Sequence, residues 1–110
     1  MKYICVPISY EAMQRLNYNC CEDGDLIELQ LDEDKFRDLW RTTIFGALNA
    51  ELGLMIEEFE DAQITDIDQL MRTEAILKHF ARLDLGDDLD KLLDLTKDAI
   101  TFKTGLFFFF

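Results

Sequence analysis

Two side chains that nucleophilic catalysis needs occur once each: His79 is the only histidine and Ser9 the only serine. A Ser–His–acid relay would require these two in contact, and neither is set in the glycine-bracketed turn that presents an activated serine. His79 follows Lys78 in an apolar helical stretch and reads as a surface or rim residue. The thiols are Cys5, Cys20 and Cys21: an odd count, two of them adjacent, with no C-x-x-C pair, which fits a reducing compartment. Glu22, Asp23 and Asp25 lie beside the adjacent pair, and neighbouring carboxylates raise a thiol pKa, the opposite of what a reactive cysteine needs. The acidic run DLGDDLD (Asp84, Asp87, Asp88, Asp90) lacks the glycine-centred spacing and closing glutamate of a calcium loop and reads as a turn and a helix start. The phosphate-cradling glycine loops and H-E-x-x-H are missing. The expectation is a protein that is not an enzyme and needs no cofactor or metal.

The chemistry that stands out is charge. Asp plus Glu is 23 against 11 Lys plus Arg, a net charge of −12. Such a balance disfavours direct contact with nucleic acid phosphates or an anionic membrane surface and favours a basic partner. The thirty residues from Thr42 to Met71 hold no Lys or Arg and seven acids: Glu51, Glu57, Glu58, Glu60, Asp61, Asp66 and Asp68. The segment EEFEDAQITDID spans a helix end and a loop, where binding residues collect. Phe59 stands among these acids. It is either an aromatic anchor inside a charged rim or a core residue with wet neighbours. The partner-binding set expected here is Glu51, Glu57, Glu58, Phe59, Glu60, Asp61, Asp66 and Asp68.

The elements that must carry these residues are legible from periodicity. KYICVPIS alternates as a strand, with Pro7 confined to an edge or a strand end. Ser9 caps a short helix in which Ala12, Met13 and Leu16 face inward. Asp23-Gly24 marks a turn before LIELQL, a half-buried strand over 26–31. Acids at 32–34 open a helix whose stripe is Phe36, Leu39, Trp40, Thr43, Ala47, Ala50 and Leu54. Phe45, Leu48 and Leu52 cover the opposite side, so this is one two-sided helix or two helices broken near Gly46 or Gly53. A further helix, capped by Thr65 or Asp66, carries the stripe Ile67, Leu70, Met71, Leu77 and Ala81. On the last helix Leu89, Leu92, Leu93, Thr96 and Ile100 share one face.

The sequence closes on TGLFFFF. Residues 105–110 suit a strand buried on both faces; a groove-binding tail or an inter-subunit strand are the alternatives. With 110 residues, 49% hydrophobic composition and a single Pro, the chain is expected to form one α+β domain, 1–110. About three strands (N-terminal, 26–31 and 105–110) would pack with three to five helices. No stretch approaches the ~20 apolar residues of a membrane span, and the first residues do not form a signal peptide, so a cytoplasmic setting is expected.

In size, charge and order, with the helix DLDKLLDLTKDAI running into TGLFFFF, the chain resembles the small immunity proteins of bacterial toxin systems such as contact-dependent growth inhibition. The resemblance implies an antitoxin that occludes the active site of a cognate basic toxin domain, a nuclease in many such systems. A phage-type inhibitor or nucleic-acid mimic would also display carboxylates in place of phosphates, though along a ridge. An adaptor subunit would instead assemble through the phenylalanine tail.

Overall fold

The computed structural model describes all residues 1–110, as four strands and five helices in a single α+β domain. In chain order these are β1 (Lys2–Pro7), α1 (Tyr10–Asn17), β2 (Leu26–Leu31), α2 (Glu33–Arg41), α3 (Ile44–Leu52), β3 (Asp61–Ile64), α4 (Ile67–Ala81), α5 (Asp87–Phe102) and β4 (Leu106–Phe109). The sheet order is β2-β1-β4-β3, and every neighbouring pair is antiparallel. The phenylalanine run is thus a central strand, hydrogen-bonded to β1 on one side and to β3 on the other. Pro7, which cannot donate to a ladder, sits at the end of β1. Its carbonyl oxygen accepts from the buried Thr104 hydroxyl at 2.7 Å.

Register fixes what each face carries, because successive side chains alternate. On the front face Leu29, Ile4, Phe108 and Ala62 stand in one row across the four strands. The helices α2 to α5 cover this face, and Leu39, Phe45, Leu48, Leu70, Leu77, Leu92 and Ala99 join the same core as Ile4 and Phe108. Phe110 ends an edge-to-face aromatic cluster, with centroids 4.9 Å from Phe36, 5.3 Å from Phe45 and 5.7 Å from Phe108. Such pairs add about 0.5–1.5 kcal/mol each beyond the area they bury. On the back face the rows are Gln30, Tyr3, Phe109 and Asp61, then Glu28, Cys5, Phe107 and Gln63. Only α1 packs there, burying Ala12, Cys5 and Phe107 and leaving Tyr3 and Phe109 half-buried.

Local sequence explains most element boundaries. The Ser9 side chain accepts from the Ala12 amide, Asp32 from Lys35 and Asp66 from Gln69, each filling an orphan donor of a first helical turn. Of the two caps expected for α4, Asp66 is the one used. The long apolar stretch after α2 divides into two helices, as one alternative had it, but neither glycine marks the break. The chain turns at Thr43, which takes a left-handed φ of +66°, while Gly46 lies inside α3 and Gly53 terminates it at φ +65°.

Three expectations are corrected. The loop after residue 60 contains a fourth strand, β3. The side of α2–α3 that faces the core carries Phe36, Leu39, Ile44, Phe45, Leu48 and Leu52, while Thr43 and Ala50 are exposed and Trp40 is 38% exposed. On α4, Ile67 and Met71 are exposed and Thr73 is buried, because the hydroxyl of Thr73 donates to the Gln69 carbonyl oxygen within the helix and needs no water.

Candidate functional site

The acidic turn is built from both sides. After Gly53 the backbone is pinned by Asn49, whose amide nitrogen donates to the Ile56 carbonyl oxygen at 3.0 Å and whose oxygen accepts from the Ile56 N–H at 2.8 Å. Ile56 is buried there as a plug. The next four residues, Glu57, Glu58, Phe59 and Glu60, are all exposed and lead into Asp61 at the start of β3. Phe59 is not a core residue: it is 82% exposed, and its φ is +69°. A non-glycine residue in the left-handed region costs roughly 1–2 kcal/mol. The surroundings hold it there, since its N–H donates to the Phe110 carbonyl oxygen at 3.0 Å.

Lys2 organises the same corner. Its ammonium donates to the Phe110 carbonyl oxygen at 3.0 Å and lies 3.4 Å from Glu58 Oε2. It also sits 4.7 Å from the Phe59 ring centroid and 4.9 Å from that of Phe36. The cation-free window of the sequence is therefore not a cation-free surface. Lys2 arrives from β1 beside Glu58, and Arg72 arrives from α4, donating to the Glu51 carbonyl oxygen at 2.8 Å.

The eight expected site residues divide accordingly. Glu57, Glu58, Phe59, Glu60 and Asp61 form one continuous exposed turn. Asp66 is occupied as the cap of α4, and Asp68 lies exposed in that helix's first turn. Glu51 stands near the end of α3, with Arg72 bound to its backbone. Of the seven acids only Glu58 has an ion-pair partner within 4.0 Å. Trp40, placed in the core stripe by its spacing, lines a shallow recess with Glu33, Phe36, Arg37 and Glu58 and brings a second partly exposed aromatic to the turn. Only its position in the last turn of α2, where a helix side leaves the sheet, could have signalled this.

Elsewhere the titratable groups serve the fold. Arg15 grips the buried Asp25 with two hydrogen bonds of 2.8 and 2.7 Å, and the Glu22 N–H donates to the same carboxylate. These contacts, the Arg15 bonds first, pull the Asp25 carboxyl down to about 2. Burial, with help from Glu28 and Cys21, pushes the Cys5 thiol up to about 12. Cys21 is also raised, by burial first and Asp25 second, so of the three acids anticipated from the sequence only Asp25 contributes, and it does not lead. All three thiols are unpaired. Ser9 is engaged as a helix cap, and His79 is exposed on α4. No helix is long and apolar enough to cross a membrane.

Comparison with protein-family models, curated protein sequences and solved structures finds no match to this chain.

Proposed function

We propose that the chain is an immunity-type inhibitor, acting in the cytoplasm without chemistry of its own, that blocks a cognate basic toxin domain, most simply a nuclease. The observation that carries this reading is Phe59: an aromatic side chain 82% exposed, in a strained backbone conformation, inside a turn of four carboxylates. Backbone strain at an exposed residue persists only where the fold enforces it, and such positions cluster at binding sites. Phe59 supplies an apolar anchor, and Glu57, Glu58, Glu60 and Asp61 supply a rim that takes the place of substrate phosphates. A specific interface of this kind buries about 1,600 Å². The net charge of −12 steers encounter with a basic surface.

The test is capture by the immobilised protein from a lysate of the source cell, at low and high salt, beside a variant with Glu57, Glu58, Glu60 and Asp61 all changed to Lys. One basic protein domain should be retained at low salt, released at high salt and missed by the variant, whose circular dichroism stays native. Equal capture by the folded variant rules the turn out as the site. Recovery of a defence nuclease in place of a toxin favours the nucleic-acid mimic.

A further inference from the structure

A second feature of the same edge has a more specific chemistry. On the back face of the sheet Asp61 stands directly opposite Phe109, and Gln63 directly opposite Phe107. Directly opposed side chains have Cβ atoms about 4.5–5.5 Å apart, so a carboxylate lies against one phenyl ring and an amide against the next. Helix α1 ends here, and Leu16 and Asn17 close the other side of an open groove of about 330 Å³. Phe107, 4% exposed, forms its floor, and the half-buried Phe109 forms one wall. No Lys, Arg or His lines the groove. Asp61 has no cation within ion-pair distance and no hydrogen-bonded donor on its side chain. Beyond it β3 is the last strand, so nothing in the sheet covers that side.

An apolar floor, an aromatic wall, one uncompensated carboxylate and two neutral amides define a complement. A phosphate or carboxylate would be repelled by Asp61. A neutral apolar side chain would leave that carboxylate desolvated. An ammonium satisfies the charge but is compact and strongly hydrated. A guanidinium is flat, stacks on a ring face, and pairs with a carboxylate through two parallel N–H donors. Its remaining donors suit the side-chain oxygens of Asn17 and Gln63. We propose that this groove is a receptor for an arginine side chain of the protein partner. This rests on the reading that the partner is basic, and it gives Asp61, the last carboxylate of the Phe59 turn and the first residue of β3, a second role as an anchor on the back face of the sheet.

The probe is acetyl-Gly-Arg-Gly-amide, titrated into the full-length ¹⁵N,¹³C-labelled protein and followed by NMR, with the Lys tripeptide as comparator. The Arg peptide should give saturable shifts concentrated at Asn17, Asp61, Gln63, Phe107 and Phe109, with weaker binding by the Lys peptide. Removing a charged hydrogen-bond partner costs about a factor of ten or more, so Asp61→Asn should weaken the Arg peptide by at least ~10-fold. Asp61 is exposed, so this variant folds; Phe109→Leu, which keeps the apolar bulk, should weaken binding as well if its spectrum remains native. Unsaturable shifts spread over Glu57, Glu58 and Glu60, equal binding of both peptides, or an unchanged Asp61→Asn titration would each overturn the assignment. If those results appear while the lysate partner is still captured in a salt-sensitive way, the arginine receptor alone fails. If the Arg peptide saturates the groove but no basic protein is captured, the groove stands and the inhibitor reading fails.

Discussion

The backbone N–H of Phe59 donates to the carbonyl oxygen of Phe110, so the exposed acidic turn hangs from the end of a central strand. Lys2 bonds the same oxygen and lies near the Phe59 ring. A turn tethered to the sheet in this way presents its aromatic at a small entropic cost on binding.

That tether separates stability from binding. Phe59→Gly relieves roughly 1–2 kcal/mol of left-handed strain and gives up a cation–π contact of about 0.5–1 kcal/mol. Urea unfolding should therefore place the variant within about 1 kcal/mol of the parent. Partner affinity should fall by ~30-fold or more, the loss expected when an anchoring aromatic is removed. A variant that binds as the parent does would demote Phe59 to an incidental surface residue.

Two glycines should respond in opposite directions to the same change. A Cβ at Gly105 would lie 2.7 Å from the Ile64 carbonyl oxygen and 2.8 Å from Thr65 Cγ2, where β4 enters beside β3. Backbone cannot yield cheaply, so Gly105→Ala should cost about 1–3 kcal/mol and lower Tm by roughly 4–20 °C. At Gly46, inside α3, a Cβ meets nothing within 4 Å, and Gly46→Ala should stabilise by about 0.5–1 kcal/mol. Thermal unfolding of both variants decides; equal shifts would refute the close approach at Gly105.

Asp25 sets an acid-side dependence. Its folded pKa is lowered from an ordinary 3.8 to about 2. Its contribution is therefore whole above pH ~4 and fades as pH falls through ~2, because the unfolded chain takes up the proton first. Asp25→Asn should flatten the stability-versus-pH curve in that window and leave the region above it parallel to the parent. Parallel curves down to pH 2 would show that Arg15 does not hold this carboxylate.

The thiols should label in sequence. Cys20 is exposed and should react first with a maleimide or aromatic disulfide at pH 8. Cys21, also exposed but with a raised pKa, should follow more slowly. Cys5, buried and pushed up to about 12, should wait for unfolding. Mass spectrometry of a labelling time course gives the order, and native labelling of Cys5 would contradict its place under α1.

The sequence showed most clearly those elements whose cause is local. Ser9 caps α1 as its type and position say it should, Asp66 is one of the two residues offered as the cap of α4, the acids from Asp32 open α2, and Ile27, Leu29 and Leu31 alternate as a strand must. The C-terminal phenylalanines were readable as a strand because an exposed run of them is physically untenable. β3 was not readable: Asp61-Ala62-Gln63-Ile64 has no strand composition, and it is extended because β4 needs a second neighbour. The break at Thr43 was hidden for the same reason, since packing of α2 and α3 on the sheet imposes it against backbone preference. Phe59 could be named as a candidate from its acidic neighbours, but whether it faced core or solvent depended on Lys2 and Phe110, more than fifty residues away in either direction. The groove at Asp61 required the register of β3 against β4, which no local pattern encodes.

The pairing of β1 with β4 has a consequence for biosynthesis. Residues 2–7 are made long before residues 106–109, which form one of their two sheet neighbours. On the ribosome the β1–β2 pair and the helices must wait, apolar faces uncovered, until nearly the whole domain has emerged. Folding that depends on so distant a pairing is slow, and its intermediates coalesce readily. The surplus of negative charge, −12 over the chain, then keeps neighbouring nascent chains apart, so the acidic surface protects the protein before it has a fold to protect.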